Sequence, residues 1–239
     1  MKIILMYIHT SMKNTNIIYF AWINQKKDYK NIINGQMDDL LNSGVLECAT
    51  LYIQVCCEDE TLVNTIRELF INKLKSIKFH LQIHKENLYE YYGIKKMYEL
   101  AIEEPHKYYL YFHSKGMFNY DNVERHIYEK TLTKGTLYQH KKVIGLFEEN
   151  PNIMKIGLFP SNKHNKNFIW LNFYWARGTY LITCQNPIIS TNRYYYETWS
   201  ETGDINMGLN YNLYENNYKK YEIHEVGDIL NKLNGTFPL

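Results

Sequence analysis

Cysteine is sparse in this sequence, and its few copies are irregularly spaced. Cys48, Cys56, Cys57 and Cys184 form neither a CxxC pair nor a framework of regular gaps. A zinc site and a disulfide-stapled secreted fold are therefore not expected. We expect a protein of a reducing, intracellular setting, with a cytoplasmic location.

Long apolar runs and an excess of one charge are also missing. The apolar start at residues 2–8 is interrupted by His9 too early for a signal peptide, and no apolar run approaches membrane-spanning length. Lysine and arginine total 27 against 25 acidic residues, so the formal net charge is only +2. This balance argues against a nucleic-acid partner held by bulk electrostatics. With hydrophobic residues at 45%, we expect a soluble chain with a sizeable core and no membrane span.

Two further shortages concern phosphate and metal binding. Arginine occurs only as Arg67, Arg125, Arg177 and Arg193, whereas tyrosine occurs 23 times. The abundance of Tyr, Asn, Ile and Lys is typical of AT-rich codons, so the tyrosine excess is not in itself a sign of function. No DxD motif is present. A carboxylate pair for a divalent ion is therefore not visible locally, although distant acids could converge.

Short apolar runs alternate with helical spacings along the chain. A run without polar residues, such as 17–23, is typical of strands buried in parallel sheets. This alternation predicts an α/β fold with a mostly parallel central sheet flanked by helices and a Rossmann-like first half. We predict strands at 17–23, 49–56, 79–83, 108–112 and 154–159, helices at 28–43, 58–70, 89–102, 123–132 and 136–149, an aromatic run at 168–174 and a mixed C-terminus.

Ionisable groups follow the fourth predicted strand. The stretch YYLYFHSKG brings His113 and Lys115 directly after a buried run. In open parallel sheets, ligands bind beyond the carboxyl ends of the strands. Lys115 is suited to pair with a phosphate, and His113 is suited to donate a hydrogen bond or to ligate a metal. The alternative is that both are solvated loop residues, and the spacing alone does not separate the two.

Acidic residues follow the second predicted strand. Glu58, Asp59 and Glu60 stand there in succession. A carboxylate at this position, Asp59 in particular, can accept hydrogen bonds from a ribose or a base. We favour the simpler role, in which Asp59 or Glu60 stabilises the start of the next helix.

A later segment carries two arginines and a glutamate. The planar guanidinium of Arg177 or Arg193 can bind phosphate oxygens, and Glu197 is a candidate general base if it faces a cleft. The four-residue spacing equally allows Arg193 and Glu197 to form an ordinary pair on a helix surface. Trp175 and Trp199 are suited to stack on a sugar or a base, but we favour core packing for both.

Four short motifs, taken in order, resemble those of glycosyltransferases of the GT-A type. The likeness is to the group that includes capsular-polysaccharide and rhamnan-synthesis-like transferases and their homologues in large DNA viruses of amoebae. It covers roughly residues 17–200. The motifs are LYFHSKG at 110–116, LFEENP at 146–151 with IGLFP at 156–160, NFYWAR at 172–177, and Arg193 with Glu197 and Trp199.

The resemblance implies a single GT-A-like domain at 17–239, preceded by residues 1–16 as a lead or an added edge strand. A nucleotide-sugar-binding half is expected at 17–117 and an acceptor half at 118–239. The implied activity moves a hexosyl or deoxyhexosyl group from a nucleotide-diphosphate sugar to a hydroxyl of a glycan or another acceptor. If the sequence is viral, the expected location is the host cytoplasm.

The sequence departs from this family type at the place where a metal is usually held. GT-A enzymes generally carry DxD at the end of the fourth strand, whereas His113, Ser114 and Lys115 stand here. Either Lys115 and an arginine neutralise the diphosphate without a metal, or His113 helps to ligate Mn²⁺ or Mg²⁺.

The resemblance also implies catalytic roles in the second half. Glu197 stands where GT-A enzymes often place the base that deprotonates the acceptor hydroxyl, and Asp204 is the reserve candidate. Arg177 and Arg193 would bind the diphosphate or position Glu197.

Two other functions compete with sugar transfer. The missing DxD keeps open a catalytically inactive GT-A-like protein that binds a nucleotide sugar or a glycan. A module that binds nucleic acid or protein through exposed tyrosines is disfavoured, because the charge is balanced and the tyrosine usage has a codon explanation.

Overall fold

The first part of the chain alternates strands and helices, as the sequence pattern predicts. The computed structural model describes residues 13–114, 126–162 and 167–233. The first strand begins two residues before its predicted start. The second helix begins five residues after its predicted start and ends three residues later than predicted, and the other boundaries lie within two residues of prediction. The elements up to residue 114 are β1 (Thr15–Trp22), α1 (Tyr29–Asn42), β2 (Ala49–Cys56), α2 (Val63–Lys73), β3 (Phe79–His84), α3 (Tyr91–Glu103) and β4 (Tyr108–His113).

The second part departs further from the prediction. The break between its first two helices lies at residues 138–139, several residues later than predicted, and the C-terminus contains a strand and a helix that the sequence pattern left unassigned. The elements are α4 (Ile127–Leu137), α5 (His140–Glu149), β5 (Ile153–Gly157), β6 (Tyr174–Arg177), α6 (Gly178–Leu181), α7 (Tyr194–Thr198), β7 (Leu209–Asn212) and α8 (Ile223–Leu233).

Seven strands of the described residues form one sheet in the order β3-β2-β1-β4-β6-β5-β7. All neighbouring pairs are parallel except those of β6, which runs antiparallel to both β4 and β5. The carboxyl ends of the other six strands therefore share one edge, which we call the carboxyl edge; the opposite one is the amino edge. This arrangement confirms an α/β fold with a mostly parallel central sheet.

The sheet separates two apolar cores, one on each face. β1 is therefore buried on both sides. Ile17 and Tyr19 pack into one core, together with side chains of α1, α2, α5 and α8. Ile18 and Phe20 pack into the other core, together with side chains of α3, α6 and α7. Strands buried on both sides read as unbroken apolar runs, which explains the sequence of β1.

Local signals account for several element boundaries. The Asp28 carboxylate accepts a hydrogen bond from the Asn31 N–H at 3.1 Å and so satisfies a donor at the start of α1. Gly44 follows α1 with a φ of 75°, a left-handed conformation that glycine adopts without steric cost. Asp59 caps the short turn that leads into α2, which is the helix-start role that the sequence favours.

Both tryptophans of the later motifs are core residues. Trp175 and Trp199 are fully buried, and each indole N–H donates to a backbone carbonyl, at 3.0 Å and 2.8 Å respectively. Neither ring is available to stack on a ligand, so the preferred sequence interpretation is confirmed.

Among the helices of the described ranges, none combines the length and the apolar character needed to cross a bilayer.

Candidate functional site

The carboxyl ends of β1 and β4 meet at a point where the strand order reverses. From β1 the chain proceeds outwards to β2 and β3 and then returns to β4 on the other side of β1. Such a switch point opens a crevice in which ligands of parallel sheets commonly bind. The two strand ends are tied together, because the Ser114 N–H donates to Phe20 O at 2.9 Å and the Trp22 N–H donates to Ser114 Oγ at 3.3 Å.

His113, the last residue of β4, lies at this switch point with its side chain 12% exposed. Its Nε2 lies 3.1 Å from Leu171 O. A carbonyl oxygen only accepts, so this nitrogen carries the hydrogen and its lone pair does not point to a metal. The ring also packs against Phe173, with 4.9 Å between the centroids.

Glu90 is the site residue that sequence reasoning missed. It lies immediately before α3, and its carboxylate turns inwards with 14% of the side chain exposed. Oε2 accepts hydrogen bonds from Tyr111 Oη at 2.9 Å and from Asn172 Nδ2 at 2.5 Å, while Oε1 lies 3.9 Å from His113 Nδ1. A carboxylate and an imidazole therefore face each other at the switch point.

The tyrosine that holds Glu90 is a fixed donor. Tyr111 is fully buried, and burial together with the neighbouring Glu90 carboxylate raises the pKa of its phenol well above the usual value. The hydroxyl therefore keeps its proton across the physiological range and continues to donate to Glu90.

Strained backbone surrounds this carboxylate. Tyr89, Leu171 and Asn172 have φ values of 53°, 69° and 58°, in the left-handed region that residues other than glycine rarely adopt. Tyr89 precedes Glu90, Leu171 supplies the carbonyl that fixes His113, and Asn172 donates to Glu90. Each such conformation costs on the order of 1–3 kcal/mol, and strain of this kind is concentrated at functional sites.

A buried polar network connects the end of β4 to α1 and α4. Gln36 Nε2, on α1, donates to His113 O at 3.0 Å and to Thr133 Oγ1, on α4, at 3.2 Å. Tyr19 Oη donates to Gln36 Oε1 at 2.7 Å, and Thr133 Oγ1 donates to Glu129 Oε1 at 2.7 Å. The network joins β1, α1, β4 and α4, so the position of His113 is set by four elements.

A cleft of about 290 Å³ opens beside the switch point, between the loops that follow β1 and β2. Trp22 borders it and donates from Nε1 to Glu58 Oε2 at 3.3 Å. Asp59 lies on the other wall, where hydrogen bonds from the hydroxyl and N–H of Thr61 and from Gln25 lower the pKa of its carboxyl group. An indole and two carboxylates therefore line the cleft.

Among the described residues, the side chains at the switch point do not complete a metal site. Throughout residues 13–114, 126–162 and 167–233, no group of three His, Cys, Asp or Glu side chains is placed to hold an ion. His113 and Glu90 supply only two donors, and one imidazole nitrogen of His113 is already used by Leu171.

Arg177, one of the predicted phosphate ligands, lies at the edge of the sheet opposite His113. Arg177 pairs with Tyr108 in the β4–β6 register, which puts it at the amino edge because β6 runs against β4. Its guanidinium donates to the carbonyl oxygens of Ile153 at 2.7 Å and Asn150 at 3.1 Å, and also to that of Phe147. It clamps the loop before β5 and does not reach the crevice with His113.

Asp204 is likewise remote from the switch point. Its N–H donates to Thr183 Oγ1 at 3.0 Å, just after α6, and α6 begins at the amino edge where β6 ends. Its carboxylate accepts from the Asn206 N–H at 2.9 Å and caps a turn. The described contacts do not bring Asp204 together with His113, and its reserve role as a base stays a prediction.

Arg193 lies directly before α7 and Glu197 lies within it. This helix borders the crevice. The carbonyl of Tyr196 on this helix accepts from Asn172 Nδ2 at 3.4 Å. Glu197 is half-buried, whereas Arg193 is exposed and stacks on Tyr194, with 4.8 Å from the guanidinium to the ring centroid. Lys115, the other predicted phosphate ligand, lies outside the described residues.

The comparisons with known proteins do not assign the chain to a class. No family model matches the sequence, and a search of curated proteins finds no match.

Proposed function

We propose that this protein is a glycosyltransferase of the GT-A type that moves a sugar from a nucleotide-diphosphate sugar to a hydroxyl of a glycan or another acceptor. The observation that carries the proposal is the carboxylate–imidazole pair of Glu90 and His113, which stands at the switch point within the motif LYFHSKG. The order of the four sequence motifs and the parallel first half of the sheet support the same assignment.

The cleft beside the switch point has the chemistry that a nucleoside requires. The indole of Trp22 offers an apolar wall, and the carboxylates of Glu58 and Asp59 can accept hydrogen bonds from ribose hydroxyls. β1 lies between β2 and β4, so a donor bound in this cleft would extend its diphosphate one strand further, towards His113.

The departure of the sugar requires stabilisation of the diphosphate that is left behind. The cationic or donor groups proposed for this task are His113 at the strand end, Lys115 two residues later in the sequence, and Arg193 directly before α7.

The alternative function is binding of a nucleotide sugar or a glycan without turnover. The missing DxD and the incomplete metal donor set of the described residues favour it. Both functions use the same crevice, so measurements of binding and of turnover on one preparation distinguish them.

The test is to incubate the purified chain with a panel of UDP-, GDP- and dTDP-sugars, with and without Mn²⁺ or Mg²⁺, and to measure release of the nucleoside diphosphate. We expect slow hydrolysis of one donor and an increase in melting temperature with the same donor. His113→Gln should lower the rate at least tenfold, whereas His106→Gln, an exposed histidine near the amino edge, serves as the unaffected control.

The outcomes separate the proposals. If a donor binds but no nucleoside diphosphate is released, the function is binding without turnover and the transfer proposal is refuted. If no donor of the panel binds and no nucleoside diphosphate is released, both proposed functions are refuted.

A further inference from the structure

We propose that Glu90 is the catalytic base of this crevice and removes the proton from the acceptor hydroxyl. The inference rests on the proposed glycosyltransferase function, and it assigns a role that the sequence motifs give to Glu197. It derives from the way in which the Glu90 carboxylate is held and from the groups that it faces.

The two oxygens of this carboxylate have different environments. Oε2 accepts from Tyr111 Oη and Asn172 Nδ2, and these two donors fix the plane of the group. Oε1 accepts no hydrogen bond from the described part of the chain and faces His113 at 3.9 Å. One oxygen is therefore anchored while the other is directed to the switch point, which is the preorganisation that proton transfer requires.

The anchoring is maintained against backbone strain. Asn172 donates to Glu90 from a left-handed conformation, and Tyr89 adopts the same conformation directly before Glu90. Backbone strain of this kind is concentrated at functional sites, and here two such residues adjoin one carboxylate.

The other acids near this edge are less suited to the role. Glu129 is 1% exposed and accepts from Thr133. Glu58 and Asp59 accept from Trp22 and from the start of α2, and they line the cleft proposed for the nucleoside. Glu197 on α7 is the remaining competitor.

The proposed step is a single displacement. As Glu90 Oε1 takes the proton, the acceptor oxygen forms a bond to the anomeric carbon, and the bond from that carbon to the diphosphate oxygen breaks. The bonding electron pair leaves on the diphosphate, and Glu90 then releases its proton to solvent. One displacement inverts the configuration at the anomeric carbon, so the product anomer is predicted as well.

The test compares Glu90→Gln with Glu104→Gln on the donor that the panel identifies. Glu104 is a matched control, because it is also a partly buried carboxylate that accepts from an asparagine amide, Asn16 Nδ2 at 2.9 Å, but it lies at the amino edge. We expect Glu90→Gln to lower kcat about 100-fold or more, with the donor Kd within about threefold of wild type. Glu104→Gln should leave both unchanged.

A second variant distinguishes the loss of a catalytic group from a folding defect. Glu90→Ala should regain turnover when formate is added, a response that a purely structural role would not produce. If the wild type shows turnover and Glu90→Gln retains the full kcat, Glu90 is not the base, while the transferase function stands. The same holds if formate fails to rescue Glu90→Ala while Glu197→Gln alone abolishes turnover. Absence of turnover in the wild type would instead refute the proposed function.

Discussion

Tyr111 and Tyr109 provide a matched pair on one face of β4. Both rings are fully buried; Tyr111 Oη donates to Glu90 at the carboxyl edge, and Tyr109 Oη donates to Leu100 O at 2.7 Å at the amino edge. Loss of either hydroxyl leaves a buried acceptor with one donor fewer and should lower the free energy of unfolding by about 1–2 kcal/mol. Only Tyr111→Phe should also lower kcat, because only that hydroxyl orients Glu90. Urea unfolding and turnover of both variants check this, and equal kcat values would contradict the positioning role.

Lys155 is a charged residue buried in the centre of the second half. Its ammonium group donates to Ser200 O at 2.7 Å, to Tyr180 Oη at 3.3 Å and to Asn167 O. Burial lowers the pKa of Lys155 to about 7, an effect that Cys184 and Glu201 oppose. The side chain is satisfied by hydrogen bonds, but the folded state holds its proton less firmly than the unfolded chain does.

This shift predicts a pH dependence of stability. Between about pH 7 and the ordinary lysine value of 10.5, the unfolded state binds more protons at this residue, so its contribution to stability rises with pH. The difference in free energy of unfolding, wild type minus Lys155→Met, should increase between pH 7 and 9.5 with a slope that approaches about 1.4 kcal/mol per pH unit. Urea unfolding of both proteins across this range measures it. A difference independent of pH would show that Lys155 does not titrate there.

At the scale of elements, α3 is the helix that positions the site, and its close packing depends on Gly93. A Cβ at Gly93 would lie 2.9 Å from Phe20 Cβ and 2.9 Å from Tyr111 Cε2. These atoms belong to β1 and β4, so the start of α3 would have to move away from the sheet and would carry Glu90 with it.

We therefore expect Gly93→Ala to lower the free energy of unfolding by about 1–3 kcal/mol and to reduce turnover. Gly145→Ala is the control, because no atom lies within 4 Å of a Cβ at that position in α5. There the replacement should stabilise by about 0.5–1 kcal/mol, since alanine has less backbone freedom to lose than glycine. Urea unfolding measures both variants, and a stabilised Gly93→Ala protein would show that α3 does not need this close approach.

At the scale of the whole molecule, the described parts of the two halves share a core. Ile17 and Phe112 from the first half pack in the same cluster as Trp175 and Val226 from the second, and β4 pairs directly with β6. Unfolding of either half would expose apolar surface of the other. The halves should therefore unfold together.

Urea unfolding should accordingly show one transition. Tryptophan fluorescence reports on both halves through Trp22 and Trp175, and far-UV circular dichroism reports on all helices and strands. We expect the two signals to have the same midpoint. Two separated midpoints, or fluorescence that changes before the helical signal, would show that the halves are independent.

Several features could be predicted from the sequence because their causes are local. The buried runs of β1, β2 and β4, the cap at Asp28 and the glycine that ends α1 each depend on residues near one another in the chain. The strand-end position of His113 follows from the same reading, since a polar residue after a buried run marks the end of a strand.

The short polar strand β7 and the reversed strand β6 could not be predicted in this way. β7 has the sequence LNYN, which carries no clear apolar alternation. The direction of β6 follows from the path of the chain before it, which includes the strained turn at Leu171 and Asn172. That reversal is why Arg177 lies at the amino edge, although its motif suggested a place beside the diphosphate.

The sequence by itself determined the α/β class, the parallel first half and the presence of His113 at a strand end, since periodicity, caps and strand ends are encoded by neighbouring residues. Only the tertiary structure decided which distant side chains join it. Glu90, Tyr111 and Asn172 meet at one carboxylate because three separate segments converge on the switch point, and no spacing along the chain records that convergence.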